Sequence, residues 1–347
     1  MRASPVLTRD ARKRARSYDG RVRLRLYHHT DGARVAYREV GTGPPLALLH
    51  SGLLSHKEWE PAVGALAERF RVVLPDLPLH GDSENHPRHP YTLDWFAEVL
   101  GGFSREVLGA RPMLAGHDAG AEILLHAVRT GSVRPSRLVL MSNRMHTRGE
   151  HARLRSLWRA TARAAVVPGL DRLLSYAAPA VFAPRRGIAL SARGNAAAAD
   201  LVRHAFADMP GDASLARSWA KCARAWPRGA QTHLLDLYPR LDMPVLLLWA
   251  DRDRMYPLAI AEEALALLPN GQLRVLRAPG SCSRTTIRLA WRGSWWRSVV
   301  ERDRRPGFKV VSGSASVLTG YAPPATTSHR GRPSWPAFGR RSARPAR

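Results

Sequence analysis

Residues 113–125 read Met-Leu-Ala-Gly-His-Asp-Ala-Gly-Ala-Glu-Ile-Leu-Leu. The apolar run Met113–Ala115 is a buried strand. It enters Gly116-His117-Asp118-Ala119-Gly120, and helical spacing follows over Ala121–Thr130. Small residues at 116 and 120 let a helix leave sharply from a strand end. The residue between them is then held in a strained turn with its side chain above the sheet. Free N–H groups and the positive end of the helix dipole lie beside that side chain. An ionised carboxylate needs no deprotonation to attack carbon, so Asp118 has the chemistry of a nucleophile. Taken alone, the string favours a plainer role, with Asp118 capping the helix.

The neighbouring segments repeat one rhythm. Val22–Tyr27 and Val35–Glu39 alternate as strands around the turn at Asp31-Gly32. Leu46–Leu49 and Val72–Leu74 are short buried strands. Glu58–Phe70 is a helix with Trp59, Val63, Leu66 and Phe70 on one stripe. Thr92–Leu108 is a helix that buries Leu93, Phe96, Leu100 and Phe103. Leu138–Met141 is the next strand. Short apolar strands alternating with amphipathic helices imply βαβ units, hence an α/β fold with a mostly parallel sheet covered on both faces.

The alternation stops near Ser142. Residues 143–240 hold helical segments and no good strand, with Trp158, Leu170, Leu173, Leu174, Leu201, Phe206, Trp219 and Leu235 at the apolar positions. The rhythm returns with a strand at Met243–Trp249, a helix at Leu258–Leu268 and a strand at Leu273–Leu276. The organisation is a basic arm over 1–20, a core over 21–142 and 241–280, a helical insertion over 143–240, and an irregular basic tail over 281–347. The only element to consider in that tail is a weak helix near 285–300.

The 347 residues carry 54 Lys+Arg against 28 Asp+Glu, a formal net charge of +26. So large an excess points first to nucleic acid. Its distribution argues otherwise, because residues 1–20 carry +4 and residues 281–347 carry +12. The middle, at +10, has the balance of an ordinary basic enzyme. Cys222 and Cys282 neither build a disulfide framework nor show metal-ligand spacing. No apolar run approaches the roughly eighteen residues of a membrane helix, and no apolar stretch follows the basic N-terminus as a secretory signal requires. The expectation is a cytoplasmic protein with a small-molecule substrate and no cofactor or metal. Nothing in the sequence bears on oligomeric state.

Three more strings join the first. Leu48-Leu49-His50-Ser51-Gly52-Leu53 follows the third strand, and Asp76-Leu-Pro-Leu-His80-Gly81-Asp82-Ser83 follows the fourth. Leu246-Leu-Leu-Trp249-Ala-Asp251-Arg-Asp253 closes a late strand. In order and spacing these pieces resemble the α/β-hydrolase superfamily over roughly residues 22–280. The acid at 118 resembles its Asp-nucleophile branch, which holds haloalkane and haloacid-type dehalogenases and epoxide hydrolases. The resemblance implies that Asp118 attacks carbon and forms a covalent ester. It implies an oxyanion hole from the N–H groups of Ala119 and Gly52. It also implies that Asp253, rather than Asp251, orients a catalytic His, and that 143–240 is a cap over the site. The sequence departs from these families in places. Ala119 stands where dehalogenases commonly place an aromatic residue or Arg. The insertion offers only Tyr176 and Tyr238 where epoxide hydrolases use two cap tyrosines. Ser51 replaces the usual Gly after His50.

The largest departure is the base. The resemblance implies a His just after Ala278-Pro279-Gly280, to activate water for ester hydrolysis. Near Ser283 the chain instead reads Ser281-Cys282-Ser283-Arg284, and the one His beyond Asp253 is His329. His146 and His204 of the insertion are substitutes of low prior. His50, His80 and His117 are loop residues of the motifs, and His86 and His89 are expected in solvent. Motif and composition break at the same residue. Two explanations stand side by side: a shifted reading frame in a GC-rich gene, or a genuine basic extension whose Trp291, Trp295 and Trp296 would stack on nucleic acid.

The expected function is a hydrolase acting on a small organic substrate through Asp118, limited to slow or single-turnover chemistry without the His. The rival expectations are hydrolysis of carboxylic esters on the same fold, and a fold retained for binding without turnover. Binding of nucleic acid through the tail is a further one.

Overall fold

The computed structural model describes residues 23–147, 160, 162–163, 167, 169–177, 201, 208–251, 253, 255–276 and 310–312. Its centre is one sheet of strands β1 (Arg23–His28), β2 (Arg34–Val40), β3 (Pro45–Leu49), β4 (Arg71–Pro75), β5 (Met113–His117), β6 (Arg137–Met141), β7 (Val245–Ala250), β8 (Gly271–Leu276) and β9 (Val310–Ser312). They lie side by side in the order β1-β2-β4-β3-β5-β6-β7-β8-β9. The run from β4 to β8 is parallel, while β1, β2 and β9 pair antiparallel.

Continuous apolar runs make the parallel strands. All of Val245–Ala250 and all of Met113–His117 are buried. Alternation sends successive side chains to opposite faces. Leu46 and Leu48 join one apolar cluster, with Trp59, Val63 and Leu66, while Ala47 and Leu49 join the other. Helix α1 (Glu60–Ala67) covers the first face. On the other lie α2 (Leu93–Phe103), α3 (Ala119–Arg129) and α5 (Leu258–Leu267), the last following α4 (Ala213–Ala225) in the chain.

The stripe read as one helix over Glu58–Phe70 is two pieces. A 3-10 turn at His56–Glu58 precedes α1, which starts with Pro61 in its first turn, where a missing N–H costs nothing. The Thr92–Leu108 helix divides similarly. Thr92 caps α2 by accepting the Trp95 N–H at 3.2 Å, and a single π turn at Ser104–Leu108 ends on Gly109.

Over 143–240 the described residues contain α4, helical residues 170–177, two 3-10 turns and no strand. Leu170 and Leu173, read as packing positions, are exposed, Leu173 by 62%. That helix instead turns Asp171 and Ser175 inward, where Arg217 pairs with Asp171 and the Gly211 N–H donates to Ser175. Trp158 and Phe206 lie outside the described residues, as do the weak helix near 285–300 and the whole 1–20 arm. The 281–347 segment is not irregular throughout, since its residues 310–312 form β9 on the outer edge of β8. No helix among the described residues is long and apolar enough to cross a membrane.

One feature of this topology positions everything that follows. From β3 the chain steps outward to β4, then crosses back so that β5 lies on the other side of β3. Such a reversal leaves a crevice at the carboxyl ends of the two strands. Leu49 of β3 faces Gly116 of β5 in the register, so the loops beginning at His50 and Asp118 emerge side by side.

Candidate active site

Asp118 sits between β5 and α3 with φ 51° and ψ −114°, in the region that favours glycine. Its side chain does not cap α3. The plainer reading of the string is therefore set aside by geometry. The turn is as tight as its glycines require. A Cβ on Gly120 would stand 2.6 Å from the Leu49 carbonyl oxygen and 2.7 Å from that of His50. Helix α3 thus starts in contact with the end of β3, and nothing larger fits.

Freed from capping, the Asp118 carboxylate is held by two hydroxyls. Ser51 Oγ donates to Oδ2 at 2.5 Å, and the Tyr256 phenol donates to Oδ1. Asp118 is only 8% exposed. Gly52 lies against the same junction: a Cβ there would stand 3.3 Å from the Ala119 Cβ and 3.8 Å from Asp118 Oδ2. The fold therefore brings together Asp118, Ala119 and Gly52 as the sequence implied, and adds Ser51 and Tyr256.

The loop after β3 is built on buried polar groups. Glu58 accepts the Ser51 N–H at 2.7 Å and pairs with His117 Nδ1 at 2.6 Å, tying the loop to the last residue of β5. His50 accepts the Leu77 N–H at Nε2, at 2.9 Å, so its proton is on Nδ1, facing the Ser51 carbonyl at 2.8 Å. His80 accepts the Leu53 N–H at Nε2, at 3.2 Å, and its Nδ1 faces the Pro78 carbonyl at 3.0 Å. Burial, helped by nearby His50, pushes the His80 imidazole down to about 3, so it is neutral. The motif histidines are scaffold for the loop. His89, expected in solvent, is also buried, stacked on Trp95 at 4.9 Å, because α2 carries that indole under the 86–91 loop.

Asp253 lies in the loop after β7. Its Oδ1 accepts the N–H groups of Met255 at 2.8 Å and Tyr256 at 2.9 Å, and its buried Oδ2 has no hydrogen-bond partner among the described residues. Trp249 Nε1 donates to the Tyr256 carbonyl at 2.8 Å. Asp253 thus meets Asp118 through Tyr256. Asp251 uses its N–H on Leu276 instead. Of the substitutes for the base, His146 is paired with Glu263 at 2.9 Å, and His204 lies outside the described residues, like Ser283 and His329. Tyr176 is exposed, and Tyr238 is buried with no hydrogen-bond partner for its hydroxyl among the described residues.

Two tryptophans bring α4 onto this framework. Trp219 packs edge-on against His80 at 4.7 Å, and Trp226, just past the helix, donates to Glu122 at 2.9 Å. Glu122 lies one turn beyond Asp118 and is paired with buried Arg144 at 2.8 Å. Burial pushes the Glu122 carboxyl up, against the pull of Arg144. His56, Asp76 and Asp82 are the one group among the described residues with the proximity of metal ligands. The Arg38 guanidinium already sits on it, 3.0 Å from His56 Nδ1 and donating to Asp82. Burial works to raise the Asp76 carboxyl, but the hydrogen bonds from His56 hold it at about 2.

Tyr256, Ser51 and Glu58 escaped the sequence reading. A Tyr three residues after an acid, or a Ser in place of a Gly, carries no local signature. The departure at Ser51 was visible, but its contact with Asp118 was not.

The sequence profile of the alpha/beta hydrolase fold matches residues 44–282. An uncharacterized protein of Mycobacterium tuberculosis is 27% identical over 257 residues, covering 72% of this chain and 73% of its own. A soluble epoxide hydrolase of Corynebacterium sp. is 47% identical over 62 residues, 17% of this chain and 22% of its own. Among solved structures, a thermophilic esterase from Thermogutta terrifontis superposes with a TM-score of 0.63 at 22% identity, over 80% of this chain and 99% of that one.

Proposed function

The chain belongs to the alpha/beta hydrolase fold family and is a hydrolase, and from that premise we propose that it acts on a small organic substrate through Asp118 as nucleophile. One Asp118 carboxylate oxygen attacks an electrophilic carbon and forms an ester, as the carbon–halogen bond of an alkyl halide breaks to release halide, or the carbon–oxygen bond of an epoxide breaks to an alkoxide that takes a proton from solvent. Water then cleaves that ester at Cγ. The Gly52 and Ala119 N–H groups stabilise the oxyanion of the tetrahedral intermediate. Residues 143–240 cap the site, a reading supported by the seating of Trp219 and Trp226 on the core.

The observation that carries this reading is the Asp118 side chain itself. It is presented from a strained backbone, left out of the helix cap it could have made, and turned toward residues from the ends of β3 and β7. Strain of this kind costs about 1–3 kcal/mol and persists where surrounding structure enforces it. Intact-protein and peptide mass spectrometry after incubation with a primary alkyl bromide, and separately with an epoxide, tests it. The expected result is one alkyl adduct per chain, on the Asp118 peptide, and none with Asp118→Asn. An unmodified wild-type Asp118 with both probes would sink the proposal. In that case the lack of a His near Ser283 favours the second reading, a fold kept for binding.

A further inference from the structure

We infer that Tyr256 is the base of the second step, acting as phenolate, so that ester hydrolysis is switched on by alkali rather than by a histidine. This rests on the reading of Asp118 as nucleophile. The phenol is buried, 6% exposed, and touches the carboxylate that would carry the ester. Its backbone is fixed on both sides, by Asp253 Oδ1 accepting its N–H and by Trp249 donating to its carbonyl. A general base must stand within hydrogen-bond reach of the reacting centre and be oriented by a third group. In this chain the acid on the β7 loop fixes the backbone that carries the tyrosine, and the phenol itself is held by Asp118.

The first step also prepares the second. Before alkylation the phenol faces an ionised Asp118, and its proton is held in that hydrogen bond. Esterification turns the carboxylate into a neutral group and removes the negative charge that opposed ionisation. Among the described residues, Glu122 is paired with Arg144, and Glu58 is paired with His117. Asp253 approaches through the backbone of 255–256. The phenol releases its proton to solvent. The phenolate then takes a proton from water as that water attacks Cγ. The tetrahedral intermediate expels the alkoxide, which leaves as the alcohol with the proton from the new carboxyl group. The net reaction is ester plus water to carboxylate, alcohol and one proton.

The test isolates this step. Full-length chain is alkylated on Asp118 with a primary alkyl bromide and freed of reagent. Loss of the adduct is then followed by intact mass between pH 6 and 10.5, in wild type and Tyr256→Phe. In wild type the rate is expected to rise about tenfold per pH unit while the phenol is mostly protonated. Tyr256→Phe is expected to form the adduct but lose it at least tenfold more slowly at pH 9. Equal rates in the two proteins would overturn the inference while leaving Asp118 as nucleophile intact, whereas failure to form any adduct in wild type would overturn both. Should the variant not fold, chain made with 3-fluorotyrosine in place of tyrosine decides. Its more acidic phenol is expected to speed loss of the adduct several-fold at pH 8, which supports the phenolate. An unchanged rate means bulk hydroxide and overturns it, as does a wild-type inflection near 6.5, which means a histidine.

Discussion

His80 shows how a single side chain sets the shape of the loop beside Asp118. It accepts the Leu53 N–H where Leu53 has φ 63°, and its ring is closed off by Trp219. A neutral buried imidazole binds its proton more weakly in the folded chain than in the unfolded one, where the group titrates near 6.5. Its folded value of about 3 therefore makes stability fall as pH drops from 6.5 toward 3. At pH 5 the loss from this one group is about 2 kcal/mol. His80→Phe keeps an aromatic ring against Trp219 but does not titrate. The gap in unfolding free energy between wild type and variant should thus shrink by about 2 kcal/mol from pH 7 to pH 5, measured by urea denaturation. Parallel pH curves would show that His80 is not held neutral.

At the scale of elements, the decisive joint is β5 into α3 against the end of β3. Gly120 has no room for a methyl group, because the obstacles are the backbone carbonyls of Leu49 and His50 rather than movable side chains. Gly120→Ala is expected to cost about 3 kcal/mol, the upper range for forcing an extra methyl into a packed site. Its urea midpoint should fall accordingly, and a change within about 0.5 kcal/mol, typical of an uninvolved surface position, would contradict the close approach. This joint was legible from residues 116–120, because glycine spacing is a local property of the chain. Helix starts were less legible. The His56–Glu58 turn runs into α1 through Trp59, whose backbone stays in the right-handed helical region at φ −93° and ψ −14°, so no local residue pattern marks where one ends and the other begins. Strand β9 was not legible at all. Three residues carry no period, and what makes Val310–Ser312 a strand is the open edge of β8 beside it.

For the whole molecule, that edge gives the basic segment a structural part. Among the described residues, β9 alone pairs with the outer side of β8. An uncovered strand edge is a template for pairing with another chain. Deleting residues 281–347 is expected to produce concentration-dependent self-association, read by size-exclusion chromatography with light scattering. A truncated chain with the same mass profile as the full one would show that β9 protects nothing. The same deletion removes +12 of the +26 net charge, so added salt, which screens repulsion, should not reproduce the effect in the full chain. Sequence by itself determined the alternating α/β order, the turn that presents Asp118, and the acid loop ending in Asp253. Each is written in near neighbours, through apolar period, glycine spacing and motif. Only the tertiary structure decided that Ser51 and Tyr256 hold the Asp118 carboxylate, that His89 is buried, and that Asp253 accepts the backbone N–H of Tyr256. The contacts to Asp118 join loops at the ends of β3, β5 and β7, which are distant in the chain and brought to one end of the sheet by the strand order β3-β5-β6-β7.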